Sequence, residues 1–320
     1  MALTDEGVVA MPGLASRWAR LANGAKAHYV TAGDSGPAVI LLHGGIQGSS
    51  GAAGWRFMVP FLGANGFRVY APDRPGFGLA DTREEYWPKR GFISTVEFVN
   101  DFADALCLDR FHLSGNSQGC MSASYYLVNH PERVISFALI ATGGFNDALG
   151  IDPSLRVPGT FSAGGFDGTA ESMRTMMEGI IYRTTAISDD LIQMRVNQAT
   201  AQKESYNAQG AFNRAAATDP KYASWFDLRG KIDTTDIPGI YLYGRQDVLG
   251  PVENAYHQED ALPNIQVFYP DECGHQGQTD QPDMFNQVFL EFFRDGKVSR
   301  KTADWAGVSQ RRPELPNLVE

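Results

Sequence analysis

Apolar and polar positions come along this chain in blocks. Residues 38–42, 67–71, 110–113, 135–141, 240–243 and 265–269 are short, largely apolar runs, the pattern of strands buried on both faces of a sheet. Between them, residues 55–62, 96–106, 120–129 and 282–294 carry apolar side chains at helical spacing. Strands alternating with helices predict an α/β fold with a mostly parallel sheet covered on both sides. Ahead of it, residues 16–21 and 25–31 flank Asn23-Gly24 and read as a hairpin. The rhythm stops at residue 143. From there to about residue 225 the chain is rich in Gly, Met and Gln, with helical stretches at 170–182, 188–198 and 203–213. This predicts a helical insertion, residues 143–226, lying as a cap over a core formed by residues 1–142 and 227–320. Residues 1–16 read as a loose arm. Residues 297–320 read as a polar tail, packed on the surface or partly disordered.

Composition narrows the picture. A chain of 320 residues can form one large domain with an insertion, or two small ones. The net charge of −10 and the absence of a Lys/Arg run argue against a nucleic-acid partner and fit a well-solvated acidic surface. Three cysteines, Cys107, Cys120 and Cys273, have no metal spacing and suit a reducing cytoplasm. Residues 1–11 lack the basic-then-apolar order of a signal peptide, and no apolar stretch approaches a membrane span. The expectation is a cytoplasmic protein with a small-molecule substrate, no membrane partner and no metal or cofactor; a homo-oligomer is left open.

The candidate chemistry starts at Gly115-Asn116-Ser117-Gln118-Gly119, between an apolar run and a helical stretch. Strand, sharp turn and helix with a serine at the apex form a nucleophile elbow. Side chains at Gly115 and Gly119 would collide with the neighbouring strand and helix. The turn exposes the Ser117 hydroxyl and puts the Gln118 N–H at a helix N-terminus, aimed at developing negative charge. A second donor can come from His43-Gly44-Gly45, at the end of the run 38–42. Gly45 is the preferred donor, because glycine lets the backbone come close to a substrate oxygen.

A serine nucleophile needs a base and a group that orients the base. In such sheets the working residues lie past the carboxyl ends of the strands. Asp247 follows the run 240–243, and His275 follows the run 265–269 beside Gly274. The order Ser117, Asp247, His275 is that of this hydrolase architecture. Asp271 and Glu272 are too near His275 in sequence to reach behind its ring, and Asp147 is the runner-up acid. Of six histidines, His28, His112, His130 and His257 read as structural, and His43 belongs to the oxyanion turn.

With these pieces in place the chain resembles the α/β-hydrolase superfamily over nearly its whole length, through HGG at 43–45, DRPGFG at 73–78, GNSQG at 115–119, GRQD at 244–247 and CGH at 273–275. Within it the chain is similar to the meta-cleavage product hydrolases, which cut a carbon–carbon bond in vinylogous diketones made by ring-opening of catechols. The similarity lies in Asn116 before the nucleophile, in residues 188–195 ending in Arg195, and in Cys273-Gly274-His275 followed by Gln278, Phe285 and Asn286. It implies a Ser117–Asp247–His275 triad, with oxyanion donors at Gly45 and Gln118. It also implies that Arg195 and Asn116 grip the substrate's carboxylate and enol oxygens, with Gly44 and Gln276 lining the same pocket. Two positions differ: the family usually has Trp where Gln276 stands, and HGGGPG where this chain reads His43-Gly44-Gly45-Ile46-Gln47-Gly48. An esterase or lactonase with the same triad, and a ligand-binding, receptor-like member, are the alternatives.

Overall fold

The run Ala38–Leu42 (β3) is buried at every residue, as a central strand covered on both faces must be. A computed structural model describes residues 2–161 and 165–320. β3 sits inside an eight-stranded sheet of order β1-β2-β4-β3-β5-β6-β7-β8. β1 (Ala15–Arg20), β2 (Lys26–Ala32) and β4 (Arg68–Pro72) pair antiparallel in turn, β1 with β2 and β2 with β4. From β4 onward the sheet is parallel, through β3, β5 (Phe111–Asn116), β6 (Val134–Ile140), β7 (Gly239–Leu242) and β8 (Ile265–Phe268). The Asn23-Gly24 hairpin therefore forms as predicted, with Gly24 at φ 90°.

Helices cover both faces. The predicted helix over 55–62 is split into α1 (Gly51–Trp55), capped by the Ser50 side chain, and α2 (Met58–Ala64). α3 (Phe92–Ala105) precedes β5, and α4 (Gln118–Asn129) follows it. Between β6 and β7 come α5 (Phe145–Ala148), α6 (Ala170–Ile180), α7 (Asp189–Ala201), α8 (Lys203–Ala216) and α9 (Pro220–Phe226). Residues 1 and 162–164, part of the predicted arm and insertion, lie outside the described residues. α6 stops two residues short of the predicted end, because Ile181 turns extended and the Ile180 carbonyl accepts the backbone N–H of His275. Met173, Met176, Met177, Ile180 and Ile192 form an apolar cluster of their own, against which Ile46 and Leu249 of the sheet side pack. Ser188 caps α7 by accepting from the Leu191 N–H, a contact that stabilises a helix by about 1 kcal/mol.

After β7 come α10 (Val252–Asp260), β8, α11 (Gly277–Asp280), α12 (Pro282–Asp295) and α13 (Arg300–Trp305). α12 buries Phe285, Val288, Phe289, Phe292 and Phe293 on one face. Both ends of the chain are more firmly placed than their composition suggests. Val8 and Val9 are buried in the main core and Leu3 bridges Val9, so the predicted arm is anchored. The tail runs beside β8: Val308 bridges Phe268, and Ser309 N–H donates to Val267 O. Val298, Leu318 and Val319 are buried, and Val298 bridges Val319, so the tail is pinned to itself and, at Val308 and Ser309, to β8.

Candidate active site

Ser117 closes β5 and opens α4. Its backbone is at φ 58°, ψ −119°, a left-handed conformation that costs a non-glycine residue of order 1–3 kcal/mol. The close packing around it explains both glycines. A Cβ on Gly115 would lie 2.1 Å from the Gly119 carbonyl oxygen, and one on Gly119 would lie 2.2 Å from that of Leu42. The Ser117 N–H is shared between the carbonyls of Ile140 and Ala141, at 2.9 Å each. Gln118 begins α4, so its N–H is among those a helix leaves without a partner.

His275 and Asp247 meet across the ends of β8 and β7. His275 Nδ1 lies 2.7 Å from Asp247 Oδ2, with both side chains buried. Asp247 Oδ1 accepts the N–H groups of Leu249 (2.9 Å) and Gly250 (3.2 Å). A carboxylate only accepts, so the ring proton is on Nδ1 and the Nε2 lone pair is free. Nε2 is buried and has no hydrogen-bond partner among the described residues. The backbone of this loop is held from three sides. His275 N–H donates to Ile180 O (2.9 Å), and Gly274 N–H to Asp280 Oδ2 (2.8 Å). The carbonyl of His275 accepts from Asn116 Nδ2 (3.0 Å). Asp280 also accepts the Arg183 N–H (2.8 Å), and burial pushes its carboxyl up to about 6.

The glycine turn after β3 lies against the elbow. A Cβ on Gly44 would lie 3.5 Å from Ser117 Cβ and 3.4 Å from Asn116 Oδ1; one on Gly45 would lie 2.6 Å from Gln118 Cδ. Arg195 lies on α7, against the turn that follows Gly45. A Cβ on Gly48 would lie 2.4 Å from the Arg195 carbonyl oxygen, so the helix backbone rests on this turn. The Arg195 side chain is buried, and its Nε and Nη1 have no partner among the described residues. Burial, with Arg56 nearby, lowers its pKa to about 9. Gln198, one turn further along the helix, leaves both amide atoms buried and unpartnered. Gln276 is buried beside His275, with Oε1 unpartnered.

The structure thus joins His275 to Asp247 and, through its carbonyl, to Asn116, and sets Gly44 against Ser117 and Gly45 against Gln118, while Arg195 meets this turn through its backbone at Gly48. Asp147 is elsewhere: it is exposed and paired with Arg156. His28 pairs with buried Asp73, and His112 shares a hydrogen bond with Ser136. Sequence reasoning missed the buried charges of the 73–78 turn, Asp73 and Arg74, and those of Arg56 and Asp280. The available signal was position: Asp73 and Arg74 directly follow a buried strand at the working edge of the sheet. Among the described residues no group of three or more His, Cys, Asp or Glu is placed to hold a metal ion. No helix among them is long and apolar enough to cross a membrane.

Comparison with known proteins adds an independent line. The chain is 28% identical over 267 residues to a 2-hydroxy-6-oxo-6-phenylhexa-2,4-dienoate hydrolase of Burkholderia cepacia, covering 82% of this chain and 89% of that protein. It is 26% identical over 269 residues to 2-hydroxy-6-oxononadienedioate/2-hydroxy-6-oxononatrienedioate hydrolase 1 of Pseudomonas putida, covering 83% and 90%. A solved structure of a mutant meta-cleavage product hydrolase, CumD of Pseudomonas fluorescens IP01, complexed with acetates, superposes with TM-score 0.67 at 26% identity, covering 88% of this chain and 98% of that one. The sequence also matches the family described as alpha/beta hydrolase fold over residues 37–282, most of the chain. With the sheet order and the serine hinge pointing the same way, the chain belongs to the α/β-hydrolase fold family.

Proposed function

We propose that this chain hydrolyses a carbon–carbon bond in a vinylogous diketone produced by meta ring fission, in cytoplasmic aromatic catabolism. Ser117, His275 and Asp247 are nucleophile, base and orienting acid. The N–H groups of Gly45 and Gln118 receive the oxyanion, and residues 143–226 act as the cap. The unpartnered Nε2 of His275 takes the proton of the attacking hydroxyl, and Asp247 stabilises the imidazolium that results. Attack falls on the ketone distal to the dienoate. The bond to carbon breaks with its electron pair passing into the dienolate, which takes the proton from the imidazolium and leaves as a 2-hydroxydienoate; water, deprotonated by His275, then cleaves the acyl-Ser117 ester to a carboxylic acid and restores the hydroxyl.

The observation that carries the reading is Arg195. A guanidinium this deeply buried, with unpartnered Nε and Nη1, calls for an anionic ligand. Carbon is a poor leaving group until the dienol has ketonised, and a cation at the carboxylate and enol oxygens stabilises the dienolate. Asn116 Nδ2 donates to the carbonyls of His275 (3.0 Å) and Ile140 (3.5 Å), and its Oδ1, which faces the Gly44 turn, is left to accept from the enol hydroxyl. Gly44 and Gln276 line the same space. The named relatives act on compounds of this class.

Ester or lactone hydrolysis by the same triad is the second reading. Gln276 favours it, because a polar side chain is buried where the meta-cleavage family usually carries an indole. The deciding experiment incubates the purified protein with coloured ring-fission dienoates and with short nitrophenyl esters, using Ser117→Ala as control. Bleaching of a dienoate by the native protein and not by the variant supports C–C cleavage. Fast ester turnover with every dienoate inert would replace it with the second reading.

A further inference from the structure

Arg74 follows β4 in a turn predicted from its glycines and prolines alone, and its side chain is fully buried behind the Gly44-Gly45 turn. Its Nη2 donates to the Gly44 carbonyl at 2.7 Å, and its Nη1 to Gln118 Oε1 at 3.2 Å. A longer contact of 3.5 Å reaches Ser122 Oγ, and the guanidinium sits 4.7 Å from the centre of the Phe77 ring. All of these partners are neutral; the adjacent buried carboxylate, Asp73, is engaged instead by His28 and by the N–H groups of Gly51 and Leu79. Burial lowers the Arg74 pKa to about 9, which keeps it a cation at neutral pH.

His43 completes the arrangement. The backbone N–H of Arg74 donates to His43 Nε2 at 3.0 Å, so that nitrogen carries no proton. The proton is on Nδ1, which lies 2.8 Å from the Gly44 carbonyl oxygen and donates to it. Burial, with the Arg74 charge nearby, depresses the His43 pKa to about 3, so the ring stays neutral. Two donors thus converge on one carbonyl. In a trans peptide the N–H points opposite to the C=O, and this chain has no cis peptide among its described residues. Fixing Gly44 O on the Arg74 side therefore fixes the Gly45 N–H on the other. Gln118, held through Oε1, packs on the Gly45 α-carbon, and Tyr206 Oη donates to Gly45 O at 3.3 Å.

We infer that Arg74 is the positioning residue of the oxyanion pocket: with His43 it locks the Gly44–Gly45 peptide, and its charge, which no carboxylate contacts directly among the described residues, lies behind the site where the substrate oxygen becomes negative. This rests on the proposed role of Gly45 and Gln118 and extends it to the groups that aim them. It applies to any carbonyl substrate, because the tetrahedral oxyanion is common to ester and C–C cleavage. No atom of Arg74 need touch the substrate; the effect runs through the Gly44–Gly45 peptide dipole and the field.

The test uses the full chain with a nitrophenyl ester, and with a ring-fission dienoate where one is turned over. Arg74→Met should lower kcat about 10–100-fold with KM within threefold, since the pocket still binds the ground state. Affinity for an arylboronic acid, which forms a tetrahedral adduct on Ser117, should fall by the same factor. Arg74→Lys, which keeps charge and one donor, should recover part of both. In the unaltered protein, nitrogen NMR should show His43 protonated on Nδ1 at neutral pH, a readout independent of whether any variant folds. Native kcat in Arg74→Met, undiminished boronate affinity alongside a reduced kcat, or an Nε2-protonated His43 would overturn the inference. Inert dienoates with active esters would strike only the C–C reading. Ester turnover unaffected by Ser117→Ala would remove the triad and this inference together.

Discussion

His275 Nδ1 and Asp247 Oδ2 are 2.7 Å apart, and the other oxygen of Asp247 is occupied by two backbone N–H groups. The acid therefore has one task left, to hold the ring in the tautomer with a basic Nε2. Asp247→Asn presents an N–H or a weaker acceptor to Nδ1 and favours the wrong tautomer. Expected is a fall in kcat of roughly 10⁴-fold with little change in KM. Steady-state kinetics on an ester would measure it; a loss below tenfold would mean that another group orients the histidine.

Arg195 separates the two substrate classes. Removing a buried cation from a carboxylate site costs the substrate its anchor, about 100-fold or more in kcat/KM for a dienoate. A neutral ester makes no such contact. Arg195→Ala should therefore abolish dienoate turnover and change ester turnover by no more than about fivefold. Equal losses on both substrates would show that Arg195 supports the fold of α7 and not the substrate.

Gly119 has no room for a methyl group, since the nearest atom is the backbone oxygen of Leu42 in a central strand. Neither partner can move without breaking the sheet. Gly119→Ala is expected to destabilise by about 3 kcal/mol or more, or to prevent folding. Gly66→Ala is the control: it has nothing within contact distance, and only its φ of 90° is strained. Urea melts of both variants would rank them, and similar midpoints would contradict the packing argument.

Asp280 gives stability a defined pH dependence. Its carboxyl titrates at about 6 against an ordinary value of 3.8, because burial outweighs the N–H groups of Arg183 and Gly274. The folded state thus holds the proton more tightly than the unfolded chain. The stability this group contributes is complete below its unfolded pKa and is lost as pH rises through its folded one. Asp280→Asn has no proton to lose. Between about pH 3.5 and pH 7 the stability difference should move in the variant's favour by on the order of 3 kcal/mol. Parallel denaturation curves with a pH-independent difference would refute it.

The strands were legible in the sequence because a doubly covered strand is an unbroken apolar run, as at Ala38–Leu42 and Phe111–Leu113. The candidates Ser117, Asp247 and His275 could be picked out because each follows such a run, with glycine next to His275 and two positions to either side of Ser117. Arg74 was hidden by its company. A guanidinium in a Gly/Pro turn reads as solvated, and only the fold shows it turned inward beneath Gly44. The anchoring of the tail was hidden for the opposite reason. Val298, Val308, Leu318 and Val319 are too widely spaced to show any period, yet each meets the sheet edge or its own neighbour there. Asn116 looked like a substrate ligand; its amide also spans to the His275 carbonyl, a contact between residues too far apart in sequence for any local pattern to register.

The bond from the His275 amide to the Ile180 carbonyl, reinforced by Asp280 bridging Gly274 to Arg183, suspends the proposed general base from the foot of α6. Any outward swing of that helix would slacken the imidazole's mooring. Under the proposed triad, the segment that would roof the pocket and the ring that would take the proton are thus parts of one fastening.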